Sequence, residues 1–245
     1  MRAEERLIKF VEAERGRIGT DTGNILGIFV TQLTTLIQYL EVTRDEYAAA
    51  AEAFLDNVER QKVLREHLGG GPRPVAAEEF ELMAEGAQAT LVLHLRIETF
   101  YLFAKILLDK LARLLPHYFG SARGVKLSGH SSLVGGALPR FASALGLAPV
   151  PASLTALIDD LGRRVSDYRD RSITHAYSPR TFRGTTFELV GRDAAILTGT
   201  LYPRSESETS TTSETPRTLL PAIEGYVLEL VDYLEGNRHK AKAAG

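Results

Sequence analysis

Apolar residues recur every three or four positions along most of the chain, and this spacing predicts a predominantly α-helical protein. A first helix is predicted over residues 2–15, and a second is predicted to begin near Thr22. The apolar face of the second helix is predicted to contain Ile25, Ile28, Phe29, Leu33, Ile37 and Leu40.

A capping box predicts the start of a third helix. Thr43 is followed three residues later by Glu46, and each side chain of such a pair bonds a free backbone N–H at a helix start. This helix would run to His67, because GGGPRP at 69–74 breaks the helical pattern. The N-terminal helices are therefore placed within residues 1–68.

The central helices are predicted within residues 76–178. The longest covers about residues 77–115 and should end at Pro116, because proline disrupts a helix interior. Its middle, LVLHLRIETFYLFAKILLDKLARLL, is apolar around much of its circumference, which is typical of a core helix. Two further helices are predicted over 131–145 and 152–177.

The hydrophobic period changes after the central helices. TTFELV and AILTGTLY alternate, which predicts a β-hairpin over 183–202. The polar segment 203–216 is predicted to be a flexible loop, and an amphipathic helix is predicted over 217–237. The apolar stripe of that helix comprises Leu219, Ile223, Val227, Leu230, Val231 and Leu234. The predicted fold is one all-α domain, 1–245, with a small hairpin inserted before the last helix.

Composition narrows the class of protein. The chain has 245 residues, 44% of them hydrophobic, and a formal net charge of −2, so it can fill a core and carries no general coat for nucleic acid or membrane. Its lack of cysteine excludes disulfides and cysteine nucleophiles. The longest apolar run, NILGIFVTQLTTLIQYL, has 17 residues and is interrupted by polar ones. We therefore expect a cytoplasmic protein without a membrane partner.

Common catalytic motifs are missing from the sequence. There is no P-loop, no GxGxxG after a strand, no HExxH and no GxSxG, and we predict neither a metal site nor a cofactor. The loop SGHSSLVGG is polar enough to hold a phosphate but lacks the lysine of a P-loop, so we interpret it as a flexible loop. Asp159 and Asp160 point about 100° apart on a helix and are assigned to a solvated face.

A polar stripe crosses the otherwise apolar central helix. His94, Glu98, Lys105 and Asp109 lie within about 60° of one another on an ideal helix. Since buried polar groups must be paired, the sequence favours two i to i+4 pairs, His94–Glu98 and Lys105–Asp109. The alternative is that Glu98 and Asp109 support a functional site by forming its wall.

Groups capable of chemistry concentrate in SDYRDRSITHAYSPR, residues 166–180. On a helix of 3.6 residues per turn, His175 would lie about 40° from the centre of the apolar face. Arg169 and Arg171 would lie about 80° to either side of that centre. The helix should end near Tyr177, because a proline follows two residues later.

The same stretch is strongly basic. Residues 163–183 contain six arginines and two aspartates, a local charge of +4 on a chain whose total is −2. An anionic ligand would bind there, in contact with Arg164, Arg171, Tyr177 and Arg180. Arginine and histidine are also common in the last turn of a helix because of the helix dipole, so a purely structural role for the cluster stays open.

The residues YRDRSITH resemble the signature of the HEPN superfamily, in which an arginine and a polar residue precede a histidine near a helix end. Arg169, Asp170 and His175 match this pattern, and the long apolar helix ahead of the motif is similar as well. The resemblance covers about residues 80–180. It implies a HEPN-like helical bundle and a metal-independent endoribonuclease that is active as a homodimer in a toxin–antitoxin or antiphage system.

The resemblance also implies roles for the matched residues. His175 would act as general base or acid, Arg169 would hold the phosphate, and Asp170 would complete the catalytic set. Which of Arg169 and Arg171 contacts the scissile phosphate stays open. The implied partners are RNA, a second subunit and an antitoxin or regulatory protein.

Two alternatives to a ribonuclease stay open. The chain could be a non-catalytic HEPN-like module that binds a nucleotide, an RNA or a protein partner. It could also be an unrelated helical interaction protein in which His175 is a core histidine.

Overall fold

The computed structural model describes residues 1–18, 20–69, 73–167, 183–190, 193–200, 210–211 and 215–241. Most of the described residues are helical, which confirms the predicted all-α class. The described residues form seven α-helices: α1 (Ala3–Arg15), α2 (Thr20–Leu68), α3 (Ala77–Phe119), α4 (His130–Val134), α5 (Ala137–Leu145), α6 (Ala152–Leu161) and α7 (Pro216–Gly236). A π-helical segment, Gly162–Asp167, follows α6 directly, and a short 3₁₀ helix, Arg238–Lys240, follows α7.

The described ranges between the π-helical segment and α7 form three strands. They are β1 (Arg183–Val190), β2 (Asp193–Thr200) and β3 (Ser210–Thr211). Strands β1 and β2 pair antiparallel, from Arg183 opposite Thr200 to Val190 opposite Asp193, and β3 pairs antiparallel with β2. These two longer strands occupy the segments in which apolar and polar residues alternate.

The chain divides into two compact units. Unit 1 comprises Met1–Glu41, Tyr101–Arg171 and Thr218–Gly245, and unit 2 comprises Val42–Phe100 and Ser172–Arg217. Each of the long helices α2 and α3 therefore contributes one part to each unit. That the chain forms a single domain stays a prediction.

Unit 1 contains a core built from several helices. Arg6 of α1 donates hydrogen bonds to Glu235 and Asp232 at 2.7 Å, which joins α1 to α7. Phe10 packs edge-on against Tyr118 of α3. All six residues of the apolar stripe predicted for the last helix are fully buried: Leu219, Ile223, Val227, Leu230, Val231 and Leu234.

Unit 2 contains an antiparallel pair of helical segments from α2 and α3. The buried Asn57 donates a hydrogen bond to the carbonyl oxygen of Leu82 at 3.0 Å. Gly86 lies against Asn57 so closely that a Cβ on Gly86 would overlap the Asn57 Oδ1 atom. Further along the pair, Arg96 forms an ion pair with Glu46 at 3.0 Å.

The prediction that the second and third helices are separate is wrong, because α2 is continuous from Thr20 to Leu68. Neither glycine nor proline interrupts the chain between Leu40 and Thr43, so the preceding helical turn already bonds the N–H groups that a capping box would satisfy. Thr43 is buried within the helix, and Glu46 pairs with Arg96.

The predicted apolar face of the second helix is partly wrong. Ile25 and Ile28 are 54% and 64% exposed, and the buried apolar residues of this stretch are Leu26, Val30, Leu33, Leu36, Ile37 and Leu40. The cause is the contact with α1: a Cβ on Gly27 would lie 2.8 Å from Arg15 Nη2, so Gly27 is on the side of α2 that faces α1. The helix is thereby rotated away from the face that the isoleucines suggested.

Two predicted helix boundaries are wrong: the end of the long central helix at Pro116 and the unbroken helix over 131–145. Helix α3 continues past Pro116 to Phe119, although Pro116 has no N–H to donate to the carbonyl oxygen of Ala112 in the preceding turn. It ends where Gly120 adopts a φ of 90°. The helix predicted over 131–145 is split into α4 and α5, and Gly136, with a φ of 73°, occupies the break.

One helix among the described residues is long and apolar enough to cross a membrane. It is Gly23–Leu68, in which an 18-residue window has a mean hydropathy of 1.4 and is 44% buried. The core helices of soluble proteins pass the same test.

Candidate functional site

The segment that leads into the arginine–histidine motif, YRDRSITH at 168–175, is π-helical. Helix α6 buries Leu154, Ile158 and Leu161, and the chain then continues as a π-helical segment that buries Val165. Short π-helical turns are rare and occur often at functional sites. This one ends at Asp167, immediately before the motif.

The π-helical segment changes the geometry from which the motif was placed. Its hydrogen bonds run from residue i to i+5, so each turn holds more residues than an α-helical turn. The projection at about 100° per residue therefore does not apply from Gly162 to Asp167. The angular positions of Arg169, Arg171 and His175 stay predictions, because these residues lie outside the described ranges.

Most of the predicted site residues lie outside the described residues. These are the three proposed catalytic residues and three of the proposed substrate contacts: Arg169, Asp170, His175, Arg171, Tyr177 and Arg180. Their roles stay predictions.

Arg164, the described member of the predicted substrate contacts, is paired with an acidic residue. Its Nη1 atom lies 2.8 Å from Asp160 Oδ2, and Arg163 Nη2 lies 3.5 Å from Asp160 Oδ1. Asp160 is therefore the counter-ion of two arginines as well as part of a solvated face. Including Asp159 and Asp160, residues 159–183 hold six arginines and four aspartates, so the local charge is +2.

The two pairs predicted along the polar stripe of α3 are confirmed. His94 Nε2 lies 3.4 Å from Glu98 Oε1, and Lys105 Nζ lies 2.8 Å from Asp109 Oδ1. Glu98 belongs to unit 2 and Asp109 to unit 1. The structural interpretation of the stripe therefore accounts for both carboxylates, and Asp109 has a second role.

Asp109 also holds the start of α4. Its Oδ1 atom accepts a hydrogen bond from the backbone N–H of His130 at 2.8 Å. A Cβ on Gly129 would lie 2.7 Å from the same oxygen, so a glycine is needed there for space. Arg113 donates a second bond from α3, to the Ser128 carbonyl oxygen at 2.9 Å. The interpretation of SGHSSLVGG as a flexible loop is therefore wrong, because α3 binds it at two points and α4 begins within it.

His130 is a buried histidine in the same cluster. It is fully buried, and neither ring nitrogen has a hydrogen-bond partner among the described residues. The imidazole packs edge-on against Tyr226 of α7, with ring centroids 5.7 Å apart. Burial and, secondarily, the Lys105 charge lower the pKa of His130 to about 4, against an opposing effect of Asp109. The imidazole is therefore neutral at pH 7.

Contacts connect this cluster to the π-helical segment. Helix α4 packs against both α6 and the π-helical segment. A Cβ on Gly162 would lie 2.6 Å from a methyl carbon of Val134, so α4 and the first residue of the segment approach closely. In this way Asp109 positions α4, and α4 in turn supports the segment that leads into the motif.

A second buried ionisable cluster lies elsewhere in unit 1. The Tyr118 hydroxyl donates a hydrogen bond to the buried Glu14 carboxylate at 2.6 Å, and Arg17 forms an ion pair with the same carboxylate. Burial and the hydrogen bond to Glu14 raise the pKa of Tyr118. The cluster joins the end of α1 to the last turn of α3, and its carboxylate has both an arginine and a hydroxyl as partners, which indicates a structural role.

Sequence reasoning did not single out His130. The available signal was a histidine that directly follows a glycine inside a polar loop, which does not reveal a partner 21 residues earlier in the chain.

No group of three or more metal-binding side chains occurs in the described ranges. Comparison with known proteins gives no matching family model, no similar curated protein and no similar solved structure.

Proposed function

We propose that the protein is a metal-independent endoribonuclease of the HEPN type. The observation that carries the proposal is the motif formed by Arg169, Asp170 and His175 in a basic stretch of the chain. A helix with one buried face and a π-helical segment lead into this stretch, as expected for a positioned site rather than a solvated tail. The clear excess of arginine suits a polyanionic substrate.

The proposed chemistry is a transesterification. The RNA 2′-oxygen attacks the adjacent phosphorus, and the new bond to phosphorus forms as the bond to the 5′-oxygen breaks. A base takes the 2′-hydroxyl proton, and an acid gives a proton to the leaving 5′-oxygen. The two His175 side chains of a homodimer would supply base and acid, while Arg169 or Arg171 would stabilise the charge on the phosphorane.

The setting that we propose is the cytoplasm, in a toxin–antitoxin or antiphage system. A ribonuclease that acts on cellular RNA must be held inactive until it is needed, so an antitoxin or regulatory protein would be its partner. A HEPN-like module that binds a nucleotide, RNA or protein without cleaving is the second candidate. Arg163 and Arg164 are paired with Asp160, so the basic stretch keeps a smaller net positive charge with which to bind such a ligand.

The experiment that tests the proposal is cleavage of RNA by the purified full chain in EDTA. We expect cleavage without added metal and products with 2′,3′-cyclic phosphate ends. Cleavage that requires Mg²⁺ would contradict the proposed chemistry. RNA that is bound but stays intact would contradict the enzyme and support the binding module.

A further inference from the structure

A groove runs along the paired helical segments of unit 2. It has a volume of about 740 Å³ and lies between the last turns of α2 and the first turns of α3. The residues that line it recur every three or four positions on each helix, so each helix turns one face towards it. The segments of α2 and α3 that line the groove both belong to unit 2, so the groove is formed by that unit alone.

The floor of this groove is apolar. It contains Val63, Leu64 and Leu82. Leu82 is buried and Leu64 is half-buried, but Val63 is 57% exposed. Together these three side chains give the groove an apolar part that a further apolar side chain could cover.

The rim of the groove is acidic. Five carboxylates line it, those of Asp56, Glu59, Glu78, Glu81 and Glu85. Arg60 neutralises part of this charge, because its Nη1 atom lies 2.9 Å from Glu85 and 4.0 Å from Asp56. The other three carboxylates, of Glu59, Glu78 and Glu81, are exposed and have no ion pair within the described part of the chain.

The charge of the surrounding unit excludes nucleic acid as the occupant. Residues 42–100 contain six Lys and Arg against eleven Asp and Glu, a formal charge of −5 on a chain whose total is −2. Phosphate groups would be repelled by this surface. A ligand that carries positive charges beside an apolar strip would be attracted to the acidic rim of the groove. Its apolar strip would then cover the apolar floor of the groove.

We propose that this groove binds a basic amphipathic helix of a partner protein. A third helix would pack between α2 and α3 with its apolar side chains on Val63, Leu64 and Leu82. Its lysine or arginine side chains would reach Glu59, Glu78 and Glu81. The inference does not depend on the proposed ribonuclease activity, since none of the groove residues belongs to the arginine–histidine motif.

The test uses the full-length chain and a defined probe. The probe is a fluorescently labelled helical peptide of leucine and lysine with all its leucines on one face, and fluorescence anisotropy gives its Kd. We expect saturable binding that Glu78→Lys with Glu81→Lys weakens by about tenfold. The matched control is Glu5→Lys with Glu52→Lys, which changes the net charge equally at exposed positions outside the groove. We expect that control to change the Kd by less than about twofold.

Several outcomes would overturn the inference. No saturable binding of the leucine–lysine peptide would do so, as would equal weakening by the two double variants. Equal binding of a leucine–glutamate peptide of the same pattern would show that charge does not select the occupant. A wild-type dimer that Glu78→Lys with Glu81→Lys converts to monomer in sedimentation would assign the groove to a second copy instead. Measuring RNA cleavage by the same variants keeps this result separate from the ribonuclease proposal.

Discussion

Asp109 Oδ1 accepts the backbone N–H of His130 at 2.8 Å, and the same oxygen lies 2.8 Å from Lys105 Nζ. One carboxylate thus neutralises a largely buried lysine and binds the first residue of α4. Because α4 packs against α6 and the π-helical segment, the contact links the core helix α3 to the part of unit 1 that precedes the motif.

Removing this carboxylate should destabilise the protein. Asp109→Ala leaves Lys105 and the His130 N–H without their partner, so we expect the free energy of unfolding to fall by about 2 kcal/mol. Urea denaturation measures it. The matched control is Glu98→Ala, which breaks the more exposed pair with His94 and should cost no more than about 1 kcal/mol. Equal losses in the two variants would show that the contact with His130 contributes nothing.

Two glycines in helix interiors should respond oppositely to the same substitution. Gly86→Ala forces a methyl group against Asn57, whose side chain joins α2 to α3. We therefore expect the free energy of unfolding to fall by about 1–3 kcal/mol. At Gly225 of α7 an added Cβ meets no atom within 4 Å, and alanine is the better helix former, so Gly225→Ala should gain up to about 1 kcal/mol. Thermal unfolding of both variants measures this. A stable Gly86→Ala protein would contradict the close approach of the two helices.

The protein should lose stability as the pH falls below about 6.5, because His130 is buried as a neutral group. Its pKa is about 4 in the folded state, against 6.5 as its ordinary value, so the unfolded chain binds the extra proton first. The stability that the neutral His130 contributes is therefore fully present above about pH 6.5, and it is lost progressively as the pH falls to about 4. The groups around the ring are Lys105, Asp109 and Tyr226.

The measurement is urea denaturation at about pH 7 and about pH 5. From about pH 7 to about pH 5, the free energy of unfolding of the wild type should fall by up to about 2 kcal/mol more than that of His130→Gln, whose side chain does not titrate. The comparison uses the slope with pH, so a lower stability of the variant at both pH values does not affect it. Identical slopes would contradict a neutral, buried His130.

Amphipathic spacing predicted the helical class and several helices well. Helix α1 begins and ends within a residue of the predicted 2–15, and α7 occupies Pro216–Gly236 against the predicted 217–237. Both are helices with one wide apolar face, so the local pattern and the burial on folding agree. The pairs His94–Glu98 and Lys105–Asp109 could also be predicted, because i to i+4 spacing determines them on any helix.

What the sequence did not reveal depends on contacts between distant residues. The rotation of α2 follows from the approach of Gly27 to Arg15, and the anchoring of α4 follows from Asp109 meeting Gly129 and His130. The π-helical segment departs from the α-helix that the spacing predicted there, and the motif that follows it lies outside the described residues. In each case tertiary packing overrides a pattern that is locally sound.

Binding of RNA should depend on the basic stretch that holds the motif. Arg169→Ala with Arg171→Ala removes two positive charges from a segment whose local charge is only +2 once Asp159 and Asp160 are counted. We expect RNA affinity to fall, and the dependence of affinity on salt to become weaker, because fewer phosphates are engaged. Titrations at several salt concentrations measure both. The control is Arg44→Ala with Arg65→Ala in the acidic unit 2, and an equal loss there would contradict a local RNA site.

The most direct test of the account is RNA cleavage in EDTA by His175→Ala. General acid–base catalysis contributes about 10² to 10⁴ in rate for each group, so the variant should cleave RNA slower by orders of magnitude while it still folds and binds RNA. The matched control, His239→Ala, changes an exposed histidine near the C-terminus and should cleave at the wild-type rate. A well-folded His175→Ala protein that cleaves RNA as fast as the wild type would contradict the proposed enzyme.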